Sequence, residues 1–325
     1  MLQYLIILLD QTSTSFCHYS PSIFPKGEKS PKPISLDVLR QGIRFGMLEN
    51  LMIQFVYPDY ELPKEYIEVI ESIDHSKIKP LPPLTHPQMT GGIDADVLVL
   101  NVIKEIGFTE APIVLRVNKQ ELFANEVIIS DLLLKTPRLN IVLTDIETFK
   151  DEDFNAYKLF LERLSKIVEK MYVEGKAPQI NLLTDRMMLK EMNNCGAGDT
   201  AITLAPNGKF YVCPAFYYED ETVDIGDLEH GLDIKNKQLY KLEYAPICRH
   251  CDAYQCKRCI WLNRKTTLEV NTPSHEQCVV AHIERNASRE LLNNIRKHGL
   301  FLPDQEEIKE IDYLDPFEKR DEWNN

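Results

Sequence analysis

The sequence predicts an α/β fold: a parallel sheet, doubly wound or an open partial barrel, followed by a Cys-rich C-terminal domain. Three observations predict it. Short apolar runs alternate with helical patterns from residue 4 to about residue 183, and strand–helix alternation builds βα units around a parallel sheet. The alternation stops after Asp185. Seven of the eight cysteines then fall between Cys195 and Cys278, a cluster that random placement does not produce.

The first apolar run, residues 2–9, has no basic residue before it and ends at Asp10. It reads as a buried strand, not as a secretory signal. Further strands are predicted at 51–56, 97–101, 112–116, 139–143 and 179–183, with helices at 36–49, 64–73, 120–135 and 153–174. The Pro-rich stretch 79–87, followed by Gly91 and Gly92, reads as a long loop over the sheet. Residues 205–213 read as a β-hairpin whose Asn207-Gly208 turn places Cys213 at the end of its second strand. A helix begins at Ser274, where Ser274 and Gln277 have capping-box spacing, and stops at Gly299. Cys278 falls in its first turn.

Domain boundaries follow at 1–187, 188–299 and 300–325. The last segment carries nine acidic residues against three basic ones, the pattern of a solvated tail. Its apolar residues Ile308, Ile311, Tyr313, Leu314, Phe317 and Trp323 are candidate anchors.

With 44% hydrophobic residues the chain supports a sizeable core. A formal net charge of −13 argues against nucleic-acid partners and for a neutral or cationic one. No run approaches membrane-spanning length. The absence of an export signal predicts a cytoplasmic protein, where clustered cysteines mean metal or redox chemistry and not structural disulfides.

Cys248/Cys251 and Cys256/Cys259 are each separated by two residues, a gap that lets both thiolates of a turn point at one metal. One compact site of these four cysteines would suit zinc. The wider pattern resembles the SPASM domain of peptide-modifying radical-SAM enzymes. Cys195 is followed by twelve residues, Gly208, four residues and Cys213, then by Cys248-x2-Cys251-x4-Cys256-x2-Cys259 and a distant Cys278; two inner gaps are one residue shorter than the family pattern. The resemblance implies two interleaved [4Fe–4S] sites. Cys195, Cys213 and Cys259 would serve the first, lacking a fourth protein ligand, and Cys248, Cys251, Cys256 and Cys278 the second.

A SPASM-like C-terminus implies a radical-SAM partial (β/α) barrel before it, with a CxxxCxxC loop after the first strand. Here that loop reads Ser13-x3-Cys17-x2-Ser20, and Tyr57-Pro58-Asp59-Tyr60 stands where the family has Gly-Gly-Glu-Pro. Serine is a poor iron ligand near neutrality. The fold is therefore expected without cleavage of S-adenosylmethionine. Together with residues 49–59 and 73–77, these segments look like the CXXX repeat peptide maturase family. That resemblance implies a Cys-rich ribosomal precursor peptide as partner, with or without a partner modifying enzyme. The alternative is a zinc-stabilised, non-catalytic peptide-binding adaptor.

Outside the cluster, Cys17 is the candidate catalytic residue, through a thiolate–imidazole pair with His18 and thiol exchange with a substrate; the alternative is a relic or packed thiol. His250 is a candidate metal-tuning group. Asp145 and Glu147 sit after a strand, where substrate contacts or helix caps are both found. Tyr211, Phe216, Tyr217 and Tyr218 are expected to pack the small domain.

Overall fold

The computed structural model describes residues 2–17, 30–82 and 86–308. Eight strands, β1 (Tyr4–Leu8), β2 (Met52–Val56), β3 (Ser76–Pro80), β4 (Val97–Leu100), β5 (Ile113–Val117), β6 (Leu139–Leu143), β7 (Ala201–Leu204) and β8 (Phe210–Tyr211), form one sheet. Their order is β6-β5-β4-β3-β2-β1-β7-β8. All neighbours run parallel except β7 and β8, which form a hairpin. The fold is the open, mostly parallel α/β sheet that the sequence predicts.

The apolar first run is a central strand. Leu5, Ile7, Leu8 and Leu9 are fully buried, as a parallel strand covered on both faces requires. Helix α1 (Leu36–Leu48) crosses from β1 to β2, capped by Ser35, whose hydroxyl accepts from the Val38 N–H. Gly42 lies inside it because a Cβ there would stand 2.3 Å from Leu204 Cδ2. The backbone of α1 thus seats directly on the sheet. Helix α2 (Lys64–Ile70) leads to β3, α3 (Lys119–Ala124) and α4 (Glu126–Lys135) lead to β6, and α5 (Asp151–Val173) follows β6.

Three elements depart from the sequence prediction. The helix expected over 120–135 is two, divided at Asn125, whose φ of −121° and ψ of 32° leave the helical region. Residues 179–183 are not a strand beyond a single bridge from Ile180 to Leu139. Backbone bonds hold the segment only at Leu139, whose N–H donates to the Gln179 carbonyl at 2.9 Å and whose carbonyl accepts from the Asn181 N–H at 3.3 Å. Beyond that the Asn181 side chain continues the ladder: its Oδ1 accepts from the Ile141 N–H at 2.8 Å and its amide donates to the Ile141 carbonyl at 2.9 Å. Finally, β3 occupies part of the stretch read as a Pro-rich loop. Its lysines disguise it; Lys77 pairs with Asp94 and Glu71, and Lys79 lies over the Tyr57 ring at 4.8 Å.

After α6 (Thr184–Met188) come β7, β8, α7 (Pro214–Glu219), the two-residue strands β9 (Gly226–Asp227) and β10 (Gly231–Leu232), α8 (Ile260–Thr267) and α9 (His275–Lys297). The predicted hairpin is present, with Gly208 at φ +79° in its turn, a left-handed position that glycine adopts without strain. Its strands are β7 and β8, so Cys213 lies just past the second strand. Helix α9 starts at the predicted cap, Ser274, which accepts from the Gln277 N–H. Of the tail anchors, Ile308 is buried; Ile311, Tyr313, Leu314, Phe317 and Trp323 lie outside the described residues. No helix among the described residues is long and apolar enough to cross a membrane.

Helix α9 packs along α5, and one buried carboxyl sits in that contact. Glu284 accepts from Tyr157 Oη at 2.8 Å and from Gln255 Nε2 at 3.3 Å. Burial pushes its carboxyl from an ordinary 4.5 up to about 7. An acid raised on folding contributes stability fully present below the unfolded value and lost as pH rises through the folded one. Stability is therefore expected to fall between about pH 4.5 and 7, by about 3 kcal/mol from this group. Glu284→Gln is expected to flatten that slope. Denaturant melts of both proteins at several pH values check it, and parallel slopes would refute the assignment.

Candidate metal centre

The loop leaving β1 is tied down at once. Ser13 Oγ accepts from the Asp10 N–H at 3.0 Å and donates to the Val56 carbonyl at 2.7 Å, joining the ends of β1 and β2. Asp10 Oδ2 accepts from Tyr60 Oη at 2.7 Å. The Tyr57–Tyr60 segment is thus a structural brace at the strand ends. The loop then runs to Cys17, whose carbonyl accepts from Arg116 Nη1 at 2.9 Å. Arg116 is a buried residue of β5. His18, Tyr19 and Ser20 lie outside the described residues, so the pairing expected of Cys17 with His18 does too.

Above the sheet interior lies a cavity of about 400 Å³. Its floor includes Ile6, Val114 and Val142 from β1, β5 and β6, and its wall carries Cys17, Cys195, Cys213 and Cys259. Interaction with the neighbouring Cys213 thiol, with burial second, holds the Cys17 thiol well above its ordinary value, and the same interaction lowers Cys213. Cys259 acts electrostatically on Cys17, and Cys195 and Cys213 act on Cys259.

Cys248, Cys251 and Cys256 form a second group. Burial pushes Cys248 and Cys256 up to about 12, and the neighbouring thiols add to the effect. The first turns of α9 face this group: Gln277 Nε2 stands 4.0 Å from Cys256 Sγ, and His282 Nε2 stands 3.6 Å from Cys251 Sγ. Cys278 lies between them in sequence, four residues before His282, hence on the same helix face. Cys259 therefore falls with Cys195 and Cys213, away from the compact four-cysteine arrangement that spacing also permits.

The second group shows one backbone habit. The sulfurs of Cys251 and Cys256 accept backbone N–H bonds from Ala253 and Arg258, each at 3.4 Å and each two residues on. In the first group the backbone N–H groups of Ala197, of Phe216 and Ala215, and of Leu262 and Trp261 act to lower Cys195, Cys213 and Cys259 respectively. Such donors favour the thiolate over the thiol and tune sulfur-ligated metals. Arg258 makes its turn at φ +47°. Its side chain is buried, with Nε and Nη1 lacking a hydrogen-bond partner, and it lowers both Cys195 and Cys248. A buried guanidinium between two thiol groups fits an anionic metal–thiolate assembly on each side.

The spread of the sulfurs bears on which metal fits. Four thiolates about 2.3 Å from one zinc stand about 3.8 Å apart. Among the described residues no three of these cysteine sulfurs lie mutually within 4.8 Å; the one such set is Cys251, Asp252 and His282. In that set Asp252 is already held by Arg285 Nη1 at 2.5 Å. The geometry thus offers one tight mixed set and, among the described residues, no tight all-cysteine one.

Other candidates take structural posts. His250 is exposed; the imidazole beside the thiols is His282, which sequence reading missed and which its i+4 spacing from Cys278 could have revealed. Asp145 Oδ1 accepts from the Lys119 N–H at 3.0 Å, and Glu147 pairs with Lys265 at 2.5 Å. Tyr211, Phe216, Tyr217 and Tyr218 are all buried, and Tyr218 Oη donates to the Ser13 carbonyl at 3.1 Å.

No family model and no curated protein matches the sequence. Solved structures do match. One is hexahistidine-tagged anSMEcpe with bound AdoMet, with a TM-score of 0.61 and 12% identity over 91% of this chain and 96% of that one. Another is native anSMEcpe with bound AdoMet and the Cp18Cys peptide, with the same score and identity over 91% of this chain and 100% of that one. The likeness is one of fold: the eight-stranded, mostly parallel α/β sheet has the radical-SAM-like arrangement of these structures.

Proposed function

We propose that this chain takes part in maturing a Cys-rich ribosomal peptide in the reducing cytoplasm. Residues 1–187 bind the precursor, and residues 188–299 hold iron–sulfur clusters. The gathering of Cys195, Cys213 and Cys259 around one cavity carries this reading, and the backbone N–H bonds to the Cys251 and Cys256 sulfurs prepare the second group for an anionic metal–thiolate centre. [4Fe–4S] clusters there would supply one-electron transfer, and a thiophilic iron only where a cluster keeps an open position. Cys195, Cys213 and Cys259 would hold one, and Cys248, Cys251, Cys256 and Cys278 the other. The resemblance to CXXX repeat maturases and the peptide bound in the anSMEcpe structure supply the substrate class.

Binding of the peptide falls to the barrel mouth. Beside β2 a second cavity of about 590 Å³ is lined by Tyr57, Tyr60, Lys79 and Met89, among others, with aromatic faces for an apolar or thiol-bearing side chain. The net charge of −13 favours a neutral or cationic segment.

The S-adenosylmethionine centre does not fit. Ser13 stands at a ligand position, and its hydroxyl is committed to Asp10 and Val56. A partner enzyme would supply any radical chemistry. Protein loaded with iron and sulfide without oxygen is expected to bind a synthetic peptide with Cys at every fourth position more than tenfold tighter than its Ser counterpart. It is expected to leave S-adenosylmethionine intact under reducing conditions. Equal affinity for the two peptides would overturn the substrate class, and cleavage of the nucleoside would overturn the division of labour.

A zinc-loaded adaptor is the second reading, favoured by one observation: His282 beside Cys251 offers the mixed nitrogen and sulfur donors that zinc accepts. Zinc without iron after anaerobic purification would select it.

A further inference from the structure

Sequence spacing leaves the first site with three cysteines, because nothing between Cys195 and Cys278 remains to complete it. The fold brings in a fourth from the other end of the chain. We propose that Cys17 is the fourth thiolate of that site, so that Cys17, Cys195, Cys213 and Cys259 form one closed metal centre joining the loop after β1 to the C-terminal segment. The proposal rests on the reading of this segment as a metal centre and adds a ligand to it.

Three observations place Cys17 there. It lines the same cavity as Cys195, Cys213 and Cys259. Its carbonyl is held by Arg116, 99 residues away on β5. The loop that carries it is pinned from the other side, where Tyr218 on α7 bonds the Ser13 carbonyl. Cys213 is the residue preceding that same helix. The short helix α7 thus fixes both the loop and one of the partner thiols.

The charge of the surroundings agrees. Metal binding releases the four thiol protons to solvent and leaves an anionic centre. The Arg116 guanidinium on the barrel side, within electrostatic reach of Cys17, and that of Arg258 on the other, within reach of Cys195, are both buried. Each offsets part of that charge in a medium where it counts.

A closed centre has no vacant metal position. A substrate thiol then has no iron to bind at this site, which fits electron relay or a structural staple. Cys17 is accordingly a ligand and not the thiol-exchange nucleophile that its sequence context suggests.

The test uses the full chain loaded with iron and sulfide without oxygen, compared with Cys17→Ser, with Cys213→Ser as a same-site control and Cys251→Ser as an other-site control. Metal content, visible spectra with and without added thiol, and iodoacetamide labelling read by mass spectrometry are followed. The loaded parent is expected to protect Cys17 as strongly as Cys213 and Cys259, with chelation exposing all three. Cys17→Ser is expected to lose up to half of the iron, as Cys213→Ser does, or to keep a centre whose spectrum responds to added thiol while the parent's does not.

An unchanged iron content and spectrum in Cys17→Ser, with Cys17 labelled equally fast before and after loading, overturns the proposal and leaves the iron–sulfur reading standing. Zinc in place of iron, with Cys17 still protected, overturns the iron–sulfur reading and leaves Cys17 as a ligand. Failure to take up either metal overturns both.

Discussion

Asp252→Ala is expected to cost the folded protein about 3–5 kcal/mol, because it removes one member of a buried ion pair and strands the other. Arg285 Nη1 and Asp252 Oδ1 are 2.5 Å apart, and their side chains are only 6% and 3% exposed. The same residue serves again through its backbone, where its carbonyl accepts from Arg186 Nε at 2.6 Å. Arg186 in turn lies over the Tyr254 ring at 4.2 Å. Asp252 follows Cys251 directly, so the pair fastens the second thiol group to α9 at the level of His282. Replacing both partners, as Asp252→Ala with Arg285→Met, is expected to be less damaging than Asp252→Ala alone, since no charge is then left buried. Denaturant melts of the two variants check this. A single-variant loss below about 1 kcal/mol would show a solvated pair that anchors nothing.

How legible these features are in the sequence depends on whether their cause is local. Strands β1, β2, β4, β5 and β6 are apolar runs bounded by polar residues, and each is found. Strand β3 hides because Ile78 is its one fully apolar inward residue, and its lysines find partners only in the fold. Residues 179–183 mislead in the opposite sense: they are apolar enough for a strand, yet backbone pairing stops at Leu139 and the Asn181 side chain continues it. Ser274 announces α9 by a contact three residues away and is read correctly. Cysteine spacing marks the ligand set and cannot by itself decide how Cys259 divides, because Cys256 is 3 residues before it while Cys213 and Cys195, which share its cavity, are 46 and 64 residues before it. The post of Cys17 is set by Arg116 and Cys213, 99 and 196 residues distant, and no short-range pattern carries that information.

Removing metal from the loaded protein is expected to unlock residues 237–259 while the sheet stays folded. This stretch contains the short 3₁₀ turns Lys237–Tyr240, Leu242–Tyr244 and Cys248–His250 and neither α-helix nor strand. Between its ends the buried apolar side chains are small: Ala245, Cys248 and Ala253. The remaining buried residues, Asp252, Gln255 and Arg258, are polar. A few methyl groups cannot offset the entropy of ordering more than twenty residues at about 1 kcal/mol or more each. Structural metal binding, worth about 10 kcal/mol or more in small thiolate sites, can. The strand core is independent of it, for Leu5, Ile7, Phe55, Leu98 and Leu115 are fully buried without any help from the cysteines. Amide exchange in 237–259 is therefore expected to accelerate more than about a hundredfold on chelation, equivalent to about 3 kcal/mol of lost local protection, with β1, β2 and β5 unchanged. Uniform exchange before and after chelation would mean that the cysteines pack as ordinary buried thiols. Acceleration across the whole chain would mean that the centre is a keystone of the barrel as well, and the loop carrying Cys17 is the connection through which that would act.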